Sequence, residues 1–496
     1  MNIDKIKTLG DLKKNGFSYL SIKDELRKNL IAKIKKNEKV FEGVLGYEDT
    51  VIPDIERAIL SRHNINLLGL RGQAKTRIAR LMVQLLNEYV PVVEGSELND
   101  DPFKPISKYA IELIAEKQDN TPITWLHRDD RYSEKLATPD VTVADLIGDV
   151  DPIKAANLKL NYSDEKVIHF GLIPRSNRCI FVINELPDLQ TRIQVSLFNI
   201  LQEGDIQIRG FKLRLLLDIQ FVFTANPEDY TNRGSIVTPL KDRIGSQILT
   251  HYPKNISIAK HITQQEAKLT AEQKQFVGSN DIAESLIEQI GFEARKSEYV
   301  DVKSGISARF SISAFENLIS SAELRALVNN EKNTHIRLTD FNGVIPAITG
   351  KVELVYEGEQ EGAGIVAQHL LSKAIRSLFL DYFPSPEKLK KKKGEQTNDE
   401  SSVYQEIEDW FASGNLINLL SNANDSDYKK ALNTVKGLKN LVLKYYPKSN
   451  ENELYFLMEF VLFSLAEYSK LSKKVISNGL EFGDLFSSMF NTNSEE

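Results

Sequence analysis

The segment from Gly69 to Thr76 has the residue types and spacing of a phosphate-binding loop. It follows the pattern GxxxxGK[ST], except that Ala74 stands at the second glycine position. In that pattern, backbone N–H groups wrap the phosphates, the lysine reaches the β- and γ-phosphates and the hydroxyl coordinates Mg²⁺. We expect Lys75 and Thr76 to act in this way if Ala74 has ordinary helical dihedrals, whereas the alternative is a glycine turn with Lys75 in solvent. The residues expected to line bound phosphates are Gly69, Leu70, Arg71, Gly72, Gln73, Ala74, Lys75, Thr76 and Arg77.

A second polar pair, Asn184-Glu185, ends an apolar run that starts at Cys179. A strand that delivers a carboxylate at its carboxyl end places it where ligands bind in open α/β sheets. We expect Glu185 to polarise an attacking water, and both residues to stand beside a Mg²⁺ ion shared with Thr76. Asn184 occupies a position usually held by aspartate, and an amide lacks the charge that attracts a hard cation. The alternative for Glu185 is to cap the next helix.

The elements around these motifs alternate between strand and helix. The runs 64–70, 179–183 and 219–225 are short, continuous and apolar, which predicts buried parallel strands. Helical stripes occupy 51–60 and 193–201. Beyond about residue 255 the pattern is helical, and its leucine and valine stripes favour core packing over a cofactor site; they include Leu416, Leu419, Leu420, Leu432, Val435, Leu438, Leu441 and Val442. The fold class is therefore an α/β P-loop NTPase core with a parallel sheet flanked by helices, followed by an all-α lid and a helical C-terminal region.

The same patterns predict five segments. These are an N-terminal helical segment (1–37), the nucleotide-binding core with inserts (38–255), a helical lid (256–383), a linker (384–402) and a helical C-terminal domain (403–496). The linker prediction rests on two prolines, polar residues and the basic run from Lys390 to Lys393. A solvated hinge is favoured over a nucleic-acid patch for that run.

Composition limits the classes of function. The chain has 496 residues, with 63 Lys+Arg and 69 Asp+Glu, a formal net charge of −6. This acidic balance argues against a general polyanion binder, because non-specific nucleic-acid binding needs a surplus of basic residues. The single cysteine, Cys179, excludes internal disulfides and CxxC zinc sites and is expected to be buried and inert. We expect a soluble, cytoplasmic protein, since no signal peptide is recognisable and the apolar run 454–468 is too short to span a bilayer.

Further motifs resemble those of the AAA+ ATPases of the MoxR and magnesium-chelatase I-subunit group, over roughly residues 38–345. The segment 137–152, followed by 169–189, is similar to that group's insert in the second core helix and its Walker B strand. Apolar and polar residues alternate in the segment from Gly204 to Asp218, as in a hairpin that turns at Arg209-Gly210. This segment is similar to the hairpin that precedes sensor 1 in this clade.

The resemblance implies further site residues. Asn226 matches sensor 1 and Arg243 the arginine finger, which acts on nucleotide bound to the neighbouring subunit. Arg309 matches sensor 2 at a helix start that Ser311 or Ser313 could cap. The adenine-contacting stretch would include Val44, Leu45 and Gly46. Without the resemblance, Asn226-Pro227 would be a plain turn and Asp242-Arg243 a surface salt bridge.

The resemblance also implies the activity and the partners. The cofactors would be ATP and Mg²⁺, and the assembly a homo-oligomeric ring, by family precedent a hexamer, that remodels or assembles a partner protein complex. The expected partner is a protein with a von Willebrand factor A domain, while a membrane span is not expected and nucleic acid is disfavoured. The 94–130 insert offers Trp125, His127 and Arg128 for partner binding, with His127 favoured as a loop residue over a metal ligand. The alternatives are a nucleotide-gated scaffold with weak hydrolysis and a DNA-associated motor of the same clade.

Overall fold

The computed structural model describes residues 3–159, 165–208, 214–227, 235–301, 306–387 and 403–485. The chain divides into two compact units, Met1–His251 and Tyr252–Glu496. Each unit is described by itself below.

The first unit mixes short helices and strands. Its α-helices are α1 (Leu9–Lys14), α2 (Ile22–Lys35), α3 (Val51–Leu60), α4 (Lys75–Leu81), α5 (Lys108–Lys117), α6 (Val143–Leu146), α7 (Pro152–Leu158), α8 (Leu172–Arg175), α9 (Thr191–Ser196), α10 (Phe198–Glu203) and α11 (Thr238–Arg243). Its strands are β1 (Ile65–Leu68), β2 (Tyr89–Val93), β3 (Ile123–His127), β4 (Tyr132–Leu136), β5 (Gly148–Val150), β6 (Ile168–Phe170), β7 (Ile180–Asn184), β8 (Asp205–Gln207), β9 (Arg214–Leu216), β10 (Gln220–Ala225) and β11 (Ser246–Leu249). Short 3₁₀ helices lie at Ile3–Lys5, Met82–Leu85, Gln118–Asn120, Arg128–Arg131, Glu165–Val167 and Leu186–Asp188.

Five of these strands form one sheet in the order β11-β1-β10-β7-β4. Every neighbouring pair in it is parallel, so all five carboxyl ends lie at one edge. Alternate residues of β10 face opposite sides: Phe221 and Phe223 pack in one hydrophobic core, and Val222 packs in the other. Helices α2, α3 and α4 contribute to the Val222 side, and α9, α10 and α11 to the opposite side. The predicted parallel strands and the α/β P-loop NTPase core are therefore confirmed.

Three antiparallel strand pairs lie outside the central sheet. The 94–130 insert contributes β3, which pairs with β2, and β5 pairs with β6. The pair β8–β9 confirms a hairpin between Gly204 and Asp218, although its predicted turn at Arg209-Gly210 lies outside the described residues. Trp125 of β3 donates its indole N–H to the carbonyl oxygen of Ile6 at 3.1 Å, so this side chain holds the N-terminal segment.

A buried ion pair joins α2 to the core of the first unit. The two terminal guanidinium nitrogens of Arg131, Nη1 and Nη2, donate to the Glu25 carboxylate at 2.8 and 2.7 Å. The two side chains are 1% and 3% exposed. The carboxylate also accepts from the backbone N–H of Asn87 at 2.7 Å, so neither charge is buried without partners. Cys179 is buried as expected, and burial raises the pKa of its thiol to about 11.

The second unit is mainly helical. Its helices are α12 (Ile256–Glu266), α13 (Ala271–Phe276), α14 (Asp281–Ala294), α15 (Ala308–Val328), α16 (Ile345–Thr349), α17 (Tyr356–Glu361), α18 (Ala363–Phe379), α19 (Gln405–Ala412), α20 (Asp425–Thr434), α21 (Leu438–Tyr445) and α22 (Glu451–Glu467), with a 3₁₀ helix at Leu338–Val344. Its strands are β12 (Val277–Gly278), β13 (Thr334–His335), β14 (Ile417–Leu420), β15 (Ser472–Ile476) and β16 (Gly479–Gly483). One hydrophobic core includes residues from Val277 to Phe482. The division into segments 256–383 and 403–496 stays a prediction.

The prediction of a helix at Leu416, Leu419 and Leu420 is wrong, because β14 lies there and pairs with β16. Burial alternates along that strand, with Ile417 and Leu419 inside and Leu420 exposed, which is the period of a strand. The stripe from Leu432 to Val442, by contrast, is buried in and around α20 and α21 as core packing. Within the described residues, no helix is long and apolar enough to cross a membrane.

The core of the second unit contains a buried carboxylate, Glu459 of α22. It accepts hydrogen bonds from the backbone N–H groups of Leu338 and Thr339 at 2.7 and 3.0 Å, and from the Tyr428 hydroxyl at 2.8 Å. Burial raises the pKa of Glu459 to about 7, against 4.5 for an ordinary glutamate. This carboxyl group therefore changes its charge near neutral pH.

Candidate functional site

The predicted site residues of the first unit meet at the carboxyl edge of the central sheet. The backbone N–H of Gly69, just after β1, donates to the carbonyl oxygen of Ala225 at 3.1 Å, and Asn226 follows Ala225 directly. The backbone N–H of Glu185, just after β7, donates to the Thr224 hydroxyl at 3.1 Å. The phosphate loop, the Asn184-Glu185 pair and Asn226 are thus brought together by neighbouring strands.

Lys75 opens α4 and is 7% exposed. Its ammonium group donates to the carbonyl oxygen of Gly69 and to that of Leu70 at 3.0 Å. The alternative of a lysine in solvent is therefore wrong. The ammonium group is held over the loop whose backbone would surround phosphates.

Ala74 departs from the sequence expectation. Its φ is 56° and its ψ is 15°, in the left-handed region, so the prediction of ordinary helical dihedrals is wrong. Gly72 also has a positive φ, 72°. The loop has to reverse direction before α4 starts, and positive φ angles provide that turn at a cost for a residue with a Cβ. The motif's usual glycine at this position therefore has a conformational reason. Ala74 adopts the conformation that glycine favours, so α4 still starts at Lys75 and the lysine still faces the loop carbonyls, although the dihedral condition set for Ala74 is not met.

Side chains outside the motif hold the loop in place. The Thr250 hydroxyl, just after β11, donates to Oε1 of Gln73 at 2.6 Å. A Cβ at Gly69 would lie 2.0 Å from Oγ1 of Thr250 and 2.2 Å from Oε1 of Gln73, so a larger residue here would displace both side chains and disturb their hydrogen bond. Arg71 is exposed, whereas Arg77 is half-buried.

The stretch predicted to contact adenine is connected to the phosphate loop. Val44 is buried in the same core as α4, and Leu45 and Gly46 are half-buried. The next residue, Tyr47, has its hydroxyl oxygen 3.1 Å from the carbonyl oxygen of Gln73 and 2.7 Å from that of His251. Tyr47 therefore joins this stretch, the phosphate loop and the last residue of the unit.

The predicted metal ligands are oxygen donors close to one another. Oγ1 of Thr76 lies 3.5 Å from Oδ1 of Asn184, which also accepts from the Thr224 hydroxyl at 3.2 Å. Hydroxyl and amide oxygens suit Mg²⁺, a hard cation that keeps much of its water shell and takes few protein ligands. The donor set fits Mg²⁺ in the company of phosphates. No cluster of three or more His, Cys, Asp or Glu side chains suited to a metal occurs within the described ranges.

A carboxylate that the sequence analysis missed stands next to Asn184. Glu134 lies on β4, the neighbour of β7, and ion-pairs with Arg80 of α4. Its carboxylate accepts from the Tyr132 hydroxyl at 2.8 Å. Burial alone would raise the pKa of Glu134, but the hydrogen bonds from Arg80 and Tyr132, together with the positive charge of Arg80, outweigh it and leave the pKa lowered. Glu134 is therefore held in its charged form.

Glu185 has a φ of 55°, another left-handed residue. It stands at the N-cap position of the 3₁₀ helix Leu186–Asp188, yet its side chain makes no capping hydrogen bond to that helix. The capping alternative is therefore not observed. Asn226, the predicted sensor 1 residue, is 1% exposed at the end of β10.

The two predicted arginines lie in different units. Arg243 ends α11, where its guanidinium donates to Oε1 of Gln202 at 3.0 Å and to the carbonyl oxygen of Pro239 at 2.7 Å. Arg309 is exposed in the first turn of α15, in the second unit. The cap of that helix is Ser307, which accepts from the Arg309 backbone N–H at 3.2 Å. The expected caps at Ser311 and Ser313 are wrong, because both residues lie inside the helix.

Comparisons with known proteins give fold-level similarity only. No protein-family model and no curated protein matches the chain. Among solved structures, a protein of Cytophaga hutchinsonii designated an ATPase is 17% identical, with 71% of this chain and 96% of that chain covered and a TM-score of 0.28. A complex of the BchI and BchD subunits of magnesium chelatase is 17% identical, with 65% and 98% covered and a TM-score of 0.34. The Holliday junction branch migration motor RuvB of Thermotoga maritima is 13% identical, with 66% and 68% covered and a TM-score of 0.31.

Proposed function

We propose that this protein is an AAA+ ATPase of the magnesium-chelatase and MoxR type, which hydrolyses ATP to remodel or assemble a partner protein complex. One observation carries the proposal: Lys75, Thr76, Glu185 and Asn226 lie together where neighbouring parallel strands end. The spacing of these residues in the sequence, taken alone, is also compatible with other roles. Their convergence at a ligand-binding edge supports a common one.

Each residue has a chemical role in this proposal. Lys75 would exchange its loop carbonyl partners for the β- and γ-phosphates, and the loop N–H groups would surround those phosphates. Glu185 would accept a proton from the attacking water, which the Asn226 amide would orient. Mg²⁺ held near Thr76 and Asn184 would supply positive charge to the phosphates. Val44, Leu45 and Gly46 would line the adenine, and Arg309 would act as the sensor 2 contact.

The test compares ATP binding with ATP hydrolysis. We expect Lys75→Ala to lose binding and Glu185→Gln to bind ATP but hydrolyse it at least about 100-fold more slowly, because general-base catalysis contributes that much. Lys117→Ala and Glu116→Gln are matched controls, since both residues are exposed on α5. Unchanged hydrolysis in Lys75→Ala and Glu185→Gln would contradict the proposal.

A second candidate is a nucleotide-gated scaffold that hydrolyses ATP slowly. Asn184 favours it, because an amide in place of a carboxylate weakens attraction for Mg²⁺. The same assay separates the two candidates. A scaffold would bind ATP in a Lys75-dependent way, with a wild-type hydrolysis rate no higher than that of Glu185→Gln.

We also propose that the active form is a homo-oligomeric ring, with six subunits by family precedent, in which Arg243 acts on nucleotide held by the neighbouring subunit. Arg243→Ala and Glu185→Gln should each be inactive alone. An equimolar mixture should recover up to about a quarter of the wild-type rate, because only interfaces that pair an intact Glu185 with an intact Arg243 are active in a head-to-tail ring. No recovery in co-assembled mixtures would exclude action between subunits.

The proposed client is a protein with a von Willebrand factor A domain, as the resemblance implies. Its metal-dependent adhesion site would bind a carboxylate of this protein. Purified candidate and ATPase should co-sediment in Mg²⁺ and separate in EDTA. Co-sedimentation that EDTA leaves intact would argue against this mode of binding.

A further inference from the structure

Asn184 places an uncharged side chain at a position that is usually held by aspartate. Thr76 and Asn184 bring only neutral oxygens to the proposed Mg²⁺ position. Mg²⁺ in proteins is usually held through one or two carboxylates together with substrate phosphates. Glu185 can supply one such carboxylate, and because Asn184 stands where a second one is usual, a carboxylate on the strand next to β7 is a candidate for the missing charge.

Glu134 is placed to provide that charge. In the parallel register of β4 and β7, Leu136 lies opposite Asn184 and Glu134 opposite Val182. Residues 134 and 136 share one face of β4, since side chains alternate along a strand. The Glu134 carboxylate thus stands one strand away from Asn184, near the carboxyl edge of the sheet.

Helix α4 shows that this face is the one beside the phosphate loop. Arg80 follows Thr76 by four residues, so both side chains lie on one face of α4. Arg80 ion-pairs with Glu134, and Thr76 lies 3.5 Å from Asn184. Two residues of one helix face therefore contact the two neighbouring strands, which places Thr76, Asn184 and Glu134 in one polar cluster.

The hydrogen bonds of Asn184 also assign its amide. Oδ1 accepts from the Thr224 hydroxyl at 3.2 Å and faces Thr76. The Thr224 hydroxyl therefore determines which amide atom faces Thr76, because the Nδ2 group could not accept its hydrogen bond.

We propose that Glu134 supplies the negative charge that Asn184 lacks, by attracting Mg²⁺ with its water shell to the edge of the sheet beside Thr76 and Asn184. Glu134 is in this view a positioning residue for the metal and not a direct ligand. The inference rests on the proposed function, because it requires that Mg²⁺ and ATP bind at this edge.

The experiment measures ATP affinity by calorimetry with full-length protein, in Mg²⁺ and in EDTA. We expect Glu134→Gln to weaken binding about five- to tenfold in Mg²⁺ and less than about twofold in EDTA, the size of one partly screened charge interaction. In the Glu134→Gln background, Asn184→Asp should restore the Mg²⁺-dependent affinity, because it returns one carboxylate to the site.

Arg80→Ala is the matched control for a purely structural role. If Glu134 only anchors Arg80, both variants should weaken binding alike. If Glu134 attracts the metal, Arg80→Ala should leave Mg²⁺-dependent affinity unchanged or improve it, because a competing cation is removed. Three results would overturn this inference and leave the proposed function standing. They are an equal loss of ATP affinity in Glu134→Gln with and without Mg²⁺, no loss of affinity in either condition, and no rescue of the affinity by Asn184→Asp. No ATP binding by the wild type in either condition would overturn the proposed function as well.

Discussion

Replacing Ala74 by glycine should stabilise the first unit, although glycine usually destabilises. Ala74 has a φ of 56°, and a residue with a Cβ loses about 1–2 kcal/mol in the left-handed region. Glycine removes that cost but gains about 0.4–1 kcal/mol of conformational freedom in the unfolded chain. The difference is a net stabilisation of about 0.5–1 kcal/mol, or about 1–4 °C in the melting temperature of a unit of this size.

The sequence offers a suitable probe and control. The chain has two tryptophans, Trp125 in the first unit and Trp410 in the second, so a Trp410→Phe background leaves fluorescence that reports on the first unit alone. The matched control is Ala79→Gly, where alanine is fully buried within α4. There glycine should lower the free energy of unfolding by about 1 kcal/mol or more.

The two substitutions are chemically identical, so their effects in urea unfolding should have opposite signs. A lower free energy of unfolding for Ala74→Gly, comparable with that of Ala79→Gly, would refute the left-handed conformation at residue 74 and the reasoning that follows from it.

Three further predictions concern buried groups. The pKa of Glu459 is raised to about 7 in the folded state, so the second unit should lose stability as the pH rises from about 4.5 to about 7. The loss is of the order of 3 kcal/mol in the free energy of unfolding. Glu459→Gln should abolish this pH dependence in urea unfolding followed by Trp410 fluorescence. A Glu459→Gln variant that keeps the same slope would contradict the assignment. Arg131→Met should destabilise the first unit by about 3–5 kcal/mol, because it leaves the Glu25 carboxylate buried without its ion-pair partner. Adding Glu25→Leu should recover most of that loss. A double variant no more stable than Arg131→Met would argue against the Arg131–Glu25 ion pair. Cys179 should react with a thiol reagent at pH 8 only as fast as the protein unfolds, because the thiol is buried out of reach of the reagent and burial also raises its pKa to about 11. Rapid labelling of folded protein would show that the thiol is accessible.

The three inner strands of the central sheet could be predicted because each is a continuous apolar run, whereas the edge strands β4 and β11 contain no such run and are not predicted. Each of the runs at β1, β7 and β10 is buried on both faces of the sheet, and such burial requires the apolar residues that the sequence shows. The helix prediction around Leu419 fails because four residues are too few to show whether apolar residues repeat every two positions, as in a strand, or every 3.6, as in a helix.

The contacts within the site depend on register and turn geometry, which the sequence does not display. Glu134 is fifty residues from Asn184, and only the alignment of β4 with β7 brings them together. Thr224 and Tyr47 likewise carry no motif of their own. The left-handed conformation of Ala74 is imposed by the path of the loop, against the preference of alanine.

The hydroxyl of Tyr47 has one hydrogen and two carbonyl oxygens within reach, those of Gln73 and His251. A phenol can donate to only one acceptor at a time unless it shares its proton in a weaker bifurcated arrangement. The two carbonyls therefore compete for it. A shift of the loop that takes Gln73 away would leave the whole hydrogen bond to His251, where the chain leaves the first unit. One phenol proton therefore cannot hold the loop and the last residue of the first unit at full strength together.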